Sequence, residues 1–182
     1  MSGVLARTIA AIRTLGANRA ILRVVIAYGG FTIGEWATWI AMLVYAFDRG
    51  GAAGAGIVAL VQLAPSAVLG PIVAGIGDRY PRERMLVGSY VAQAAAMAVV
   101  AIALLGDAPV PVVYGLAALS TLAITLTRPA HGSILPSLAR TPEELTSTHV
   151  AGGPLTQIGV LVAPALAGIL LAPFRPAAVF LV

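Results

Sequence analysis

The stretch GPIVAGIGDRYPRERML, Gly70 to Leu86, sets how the rest of the chain is read. Its apolar half ends at Gly77, five of the next seven residues are charged, and apolar sequence resumes at Met85. Runs long enough to cross a bilayer, about 20 residues each, extend on both sides of the turn. A short arginine-rich turn between two such runs reads as a hairpin whose loop is held on one side of a membrane.

The composition agrees. Of 182 residues, 59% are hydrophobic and only 10% charged, against roughly 25% charged in a soluble domain. Mean hydropathy is +0.96. All eleven basic residues are arginine and the net charge is +4. Because these charges fall between apolar runs, they point to membrane topology and not to nucleic acid as a partner. With no cysteine, disulfides, thiolate catalysis and cysteine metal sites are excluded.

Five long apolar runs follow, at about 24–47, 54–77, 85–105, 110–138 and 145–172, with a sixth beginning at 177. Residues 1–22 carry Arg7, Arg13 and Arg19 and lack the short apolar core and cleavage site of a signal peptide. They read as a cytoplasmic tail or a surface-lying amphipathic helix, and 23–182 as the transmembrane domain. The expected fold is thus an all-α polytopic membrane protein, cut within its sixth helix. With the N-terminus inside, nine of the eleven arginines face the cytoplasm, leaving Arg49 and Arg175 outside. That asymmetry predicts a multi-pass protein of the cell inner membrane, in contact with lipid.

Within the runs, Glu35 is the twelfth of twenty-four residues in the first, near the bilayer centre. A carboxylate desolvated there without a partner is disfavoured against its neutral acid. A group whose protonation depends on whether it faces water or a cation is what proton coupling requires; the alternative is a structural hydrogen bond to a neighbouring helix. Trp36 and Trp39 share a face near the middle of the same run, which suits either an aromatic cavity wall or lipid. Tyr28 and Tyr45, near its ends, read as interfacial belt residues. Gln62, Gln93 and Gln157 are isolated polar groups in the second, third and fifth runs, each lining a pathway or bonding an adjacent helix. His131 and His149 have no metal-site spacing, and HGS at 131–133 lacks the Gly-x-Ser-x-Gly signature of a serine hydrolase. No Gly-rich phosphate loop is present. Enzyme activity, a metal and a cofactor are therefore not expected.

The loop Asp78, Arg79, Arg82 and Arg84 resembles the signature loop of the major facilitator superfamily, G-x-x-x-D-R-x-G-R-R/K, which joins the second and third helices of that fold. It departs from the pattern at Ala74, Pro81 and Glu83. The form DRYPRERML looks most like the drug, macrolide and siderophore exporters of the superfamily. TRPAHG, with Arg128 four residues before Gly132, is similar to the fourth-helix R-x-x-x-G motif of proton-driven exporters, with His131 where glutamine is usual. If the fourth helix continues to Leu138, Arg128 lies roughly 15 Å from its end; if it stops at Thr127, Arg128 only anchors it at the interface by snorkelling. GVLVAPALAG resembles the fifth-helix antiporter motif through Gly159, Pro164 and Gly168, with Ala163 and Ala167 in place of two glycines.

The resemblance implies the N-terminal half of a six-plus-six-helix fold. It also implies proton-coupled export of a small amphipathic substrate by alternating access, with Glu35 and Arg128 as coupling candidates. Asp78, Arg79, Arg82 and Arg84 would form a conformational latch against the missing C-terminal half, supplied by the same gene or a second chain. Trp36, Trp39, Gln62, Gln93 and Gln157 are the substrate-cavity candidates, and Gly159, Pro164 and Gly168 the helix-packing motif. Two alternatives stand beside the exporter: a non-transporting half-protein or regulatory subunit, and an importer or lipid transporter of the same superfamily.

Overall fold

The structure, a computed structural model, describes residues 18–77, 80–171 and 177–180. It is helical, with no strand among the described residues. The helical stretch Arg19–Gly77 is interrupted at Gly50 and Gly51, where the backbone leaves helical geometry. It therefore divides into α1 (19–49) and α2 (52–77). Then follow α3 (Arg82–Leu105), α4 (Val110–Leu138), α5 (Pro142–Leu171) and the short α6 (Ala177–Phe180).

The break has a plain cause. Gly51 sits at φ 58°, ψ −152°, a region open essentially to glycine alone. A Cβ built on Gly54 would stand 2.5 Å from the carbonyl oxygen of Ala46, whereas residues eight apart in a straight helix are about 12 Å apart. The chain therefore doubles back, and α1 and α2 form a close antiparallel hairpin at a point where only glycine fits.

Cross-helix contacts set the other directions. Asn18, which precedes α1, and Tyr28 and Glu35 of α1 meet Leu138, His131 and Arg128 of α4, so these helices are antiparallel. Asn18 and Thr32 meet Glu144 and Gly159 of α5, which makes α5 parallel to α1. Gly54, Gln62 and Gly70 of α2 lie beside Tyr114, Thr121 and Thr125 of α4, a second parallel pair. Direction thus alternates along the chain, and α1 runs between α2, α4 and α5.

Polarity is distributed as in a membrane protein. Leu60, Val68, Ile102 and Leu161 are all more than 60% exposed, while Thr32, Thr38, Gln62, Gln93 and Thr127 are buried. Threonine and serine hydroxyls bond back to carbonyls three or four residues earlier, as Thr32 does to Tyr28 and Ser120 to Ala117, a way of satisfying polar groups that needs no water. Among the described residues, four helices are long and apolar enough to cross a membrane, the first of them, Arg19–Ile72, containing both arms of the hairpin. The largest buried cluster includes Ala37, Ala41, Met42, Tyr45 and Ala46 of α1 with Val58, Val100 and Ala117 from its neighbours.

Several details differ from the sequence expectation. α1 starts at Arg19 and α5 at Pro142, each in a more polar segment than the apolar runs suggest. The reason is capping: Asn18 Oδ1 accepts from the N–H groups of Ala20 and Ile21, and Thr141 Oγ1 accepts from that of Glu144. Such caps let a helix extend past the apolar run. Tyr45 is not a belt residue, being 3% exposed with the Arg49 guanidinium 3.8 Å over its ring. Finally, α4 runs unbroken through Arg128 and Pro129 to Leu138, which removes the reading that it ends at Thr127.

Candidate functional site

Glu35 and Arg128, 93 residues apart in sequence, meet where α1 and α4 face each other, about midway along α1. Arg128 Nη2 donates to both carboxylate oxygens of Glu35, at 3.1 and 2.8 Å. One nitrogen thus serves both oxygens, unlike the two-nitrogen fork that arginine forms with a carboxylate in its strongest geometry. The Glu35 side chain is 19% exposed and that of Arg128 47%. Pro129, next in the chain, has no N–H to give the carbonyl of Thr125, which loosens the helical ladder in the turn that carries the arginine.

One turn further along α4, the His131 ring stacks on Tyr28 of α1, centroids 4.0 Å apart and planes 13° from parallel. Phe31 continues the column, stacked on Tyr28 at 5.5 Å, and Tyr90 of α3 closes it at 6.1 Å. Four rings therefore link α4, α1 and α3 on one side of the ion pair.

On the other side lies a cavity of about 190 Å³. Glu35, Trp36, Trp39, Gln62, Thr121 and Phe180 are among its walls. The two indoles meet edge to face at 6.0 Å. Gln62 Oε1 accepts from the Thr121 hydroxyl at 3.2 Å, tying α2 to α4. A second cavity, about 250 Å³, lies between α1 and α3 and has Gln93 and Tyr90 in its wall. Among the described residues, Gln93 Nε2 reaches only the Met97 sulfur, at 4.0 Å.

Six buried polar atoms around the ion pair, the ring column and the two cavities have no hydrogen-bond partner among the described residues: Trp36 Nε1, Gln62 Nε2, Tyr90 Oη, Gln93 Oε1, Thr127 Oγ1 and His131 Nδ1. An unsatisfied buried polar atom is costly, and Trp36 Nε1 and Gln62 Nε2 at the first cavity, with Tyr90 Oη and Gln93 Oε1 at the second, give a ligand or water something to bind.

The sequence-derived candidates separate accordingly. Glu35 and Arg128 form the ion pair; Trp36, Trp39 and Gln62 line the first cavity, and Gln93 the second. Gln157 is exposed on α5 and lines neither of these cavities. Arg82 and Arg84 are exposed at the start of α3, while Asp78 and Arg79 lie outside the described residues. On α5, Gly159 packs against Thr32, where an added Cβ would be 3.1 Å from Cγ2, and Ala163 and Ala167 are fully buried. Pro164 and Gly168 are exposed. At about 100° per residue, positions 159, 163 and 167 share a face and 164 and 168 turn away, so the packing stripe is Gly159, Ala163 and Ala167.

Sequence reasoning missed the Tyr28 and His131 stack, Thr121, Tyr90 and Phe180. His131 carried a usable signal, lying three residues after Arg128 and so on the same helix face; Phe180 carried none, since its run is too short to place. Among the described residues, no cluster of three or more His, Asp or Glu side chains could hold a metal ion. In comparisons with family models, curated proteins and solved structures, the chain matches none.

Proposed function

We propose that this chain is one half of a secondary active transporter of the bacterial inner membrane, with its N-terminus in the cytoplasm, exchanging protons for a small amphipathic molecule. The observation that carries this reading is the Glu35 and Arg128 ion pair, held within an apolar helical bundle beside an aromatic-walled cavity. An intramembrane ion pair of this kind is a functional hypothesis by default.

In this reading, Arg128 and a proton compete for Glu35. Proton binding replaces the charged contact by a neutral one, weakening the tie between α1 and α4. Substrate in the adjoining cavity favours one of the two arrangements, and its movement is thereby coupled to the proton. The arginine-rich loop that resembles the major facilitator signature supports the same reading, with Asp78, Arg79, Arg82 and Arg84 as a latch against a second half.

The test is efflux of a panel of fluorescent amphipathic dyes from vesicles under an imposed pH gradient, using the chain alone and co-expressed with the reading frame that follows it. The expected result is pH-driven efflux that Glu35→Gln abolishes without loss of membrane insertion. Unchanged efflux in that variant removes Glu35 from the mechanism. No efflux in either form overturns the transporter reading and leaves a non-transporting membrane half-protein.

A further inference from the structure

The two cavities flank α1, and among the described residues only Thr38 and Phe180 line both. Thr38 is fixed: it belongs to α1, and its hydroxyl lies within bonding distance of the carbonyls of Gly34 and Glu35, at 2.8 and 3.0 Å. Phe180 is held differently. Its ring is apolar and 6% exposed, and packing alone holds it, since α6 rests on α3, α5 and the α1–α2 hairpin. A phenyl ring held only by packing can change rotamer without breaking a hydrogen bond.

We propose that Phe180 partitions a single ligand chamber, which accepts small uncharged aromatic molecules bearing a hydrogen-bonding carbonyl, and that its side chain limits them to one ring. This rests on the reading of the cavity as a ligand site. Volume gives the scale: an enclosed apolar cavity of about 150 Å³ holds benzene, and the first cavity, partly open and about 190 Å³, has room for one ring with a short substituent. Joined to the second, about 250 Å³, it admits fused rings.

Chemistry follows from the walls. The Glu35 charge is already matched by Arg128, and Met42, Leu63 and Ile124 stand beside the two indoles in the wall, so burying a further charge there is costly. Gln62 is 3% exposed and gives one end of its amide to Thr121, leaving Nε2 without an acceptor among the described residues. A ligand carbonyl supplies that acceptor.

The chain carries its own probe. Its two tryptophans, Trp36 and Trp39, both line the first cavity, so intrinsic tryptophan emission reports that cavity. The full chain in detergent is titrated with benzamide, ethylbenzene and 2-naphthamide, and a saturable change in emission is separated from the linear drift of micelle partitioning. Benzamide is expected to saturate the wild type, and Gln62→Leu to weaken it roughly three- to tenfold, the loss of one hydrogen bond, with ethylbenzene unaffected. 2-Naphthamide is expected to saturate Phe180→Ala and not the wild type, with Phe180→Leu intermediate; benzamide saturation in the same variants shows that they are folded.

Equal saturation of wild type and Phe180→Ala by 2-naphthamide overturns the partition. Absence of saturation by benzamide in every form overturns the chamber, and indifference of benzamide to Gln62→Leu overturns the carbonyl contact. No gradient or flux enters this measurement. Binding without proton-driven efflux therefore sinks the transport reading alone, and efflux without benzamide binding sinks the chamber alone.

Discussion

At the end of the bundle where α1 begins, Asn18 uses all of its polar capacity. Its Nδ2 donates to the Leu138 carbonyl and to Glu144 Oε2, both at 3.0 Å, while its Oδ1 caps α1. Glu144 Oε2 also accepts from the Arg140 N–H at 2.9 Å. Further along the same helix, Glu35 meets α4 again, in a stretch of the bundle where six buried polar atoms have no partner among the described residues. Both clusters tie α1 to α4. A fully satisfied network rigidifies what it joins, so the Asn18 cluster behaves as a joint. The unsatisfied stretch retains the capacity to bind something else and to rearrange when it does.

That contrast can be broken by mutation, and the largest effect is expected at the joint. Asn18→Leu keeps the volume but removes the cap and leaves the Leu138 carbonyl and the Glu144 carboxylate short of a donor; a loss of about 2–4 kcal/mol is expected. Thermal unfolding in detergent measures it, and a midpoint within a degree of wild type would remove the idea of a joint. Next comes Arg128→Gln, which strands Glu35. About 1–3 kcal/mol is expected, less than for a fully buried pair because the arginine side chain is 47% exposed. Adding Glu35→Gln should recover most of that loss in a double-mutant cycle, whereas additive losses would mean that the two groups do not act as a pair.

The smallest effect is expected where burial alone would forecast a large one. Gln62 is 3% exposed, yet Gln62→Leu removes an amide that is only half satisfied. Thr121 keeps its bond to the Ala117 carbonyl, at 3.0 Å. A change within about 1 kcal/mol of zero, of either sign, is expected. If this variant unfolds as readily as Asn18→Leu, the unsatisfied stretch holds the bundle together as firmly as the joint does, and the contrast disappears.

Much of this architecture is legible in local sequence. The arginine-rich turn, the Gly and Pro punctuation and the apolar runs mark where the chain leaves and re-enters helix, and Glu35 stands out as a lone carboxylate in a run of apolar residues. The helix starts at Arg19 and Pro142 were harder to read, because hydropathy registers what suits lipid, while capping by Asn18 and Thr141 carries each helix into more polar sequence. On α5 the buried face and the motif select different residues, for a related reason. A motif matched letter by letter selects Pro164 and Gly168, whereas the helical repeat sets Ala163 and Ala167 beneath Gly159.

The sequence by itself determined that the chain is a set of long apolar helices, because backbone groups in lipid must be satisfied within the helix and hydropathy is a sum over neighbouring residues. It also determined that Glu35 is placed where charge is costly, and it left Arg128 either inside the fourth helix or at its end. Only the tertiary structure decided that they are each other's partner, that His131 faces Tyr28, and that Phe180 stands between two cavities. Each of those outcomes depends on the rotation and register of one helix against another. With about 100° of turn per residue, a slip of one position would point Glu35 away from Arg128 and leave the hydropathy of both helices unchanged.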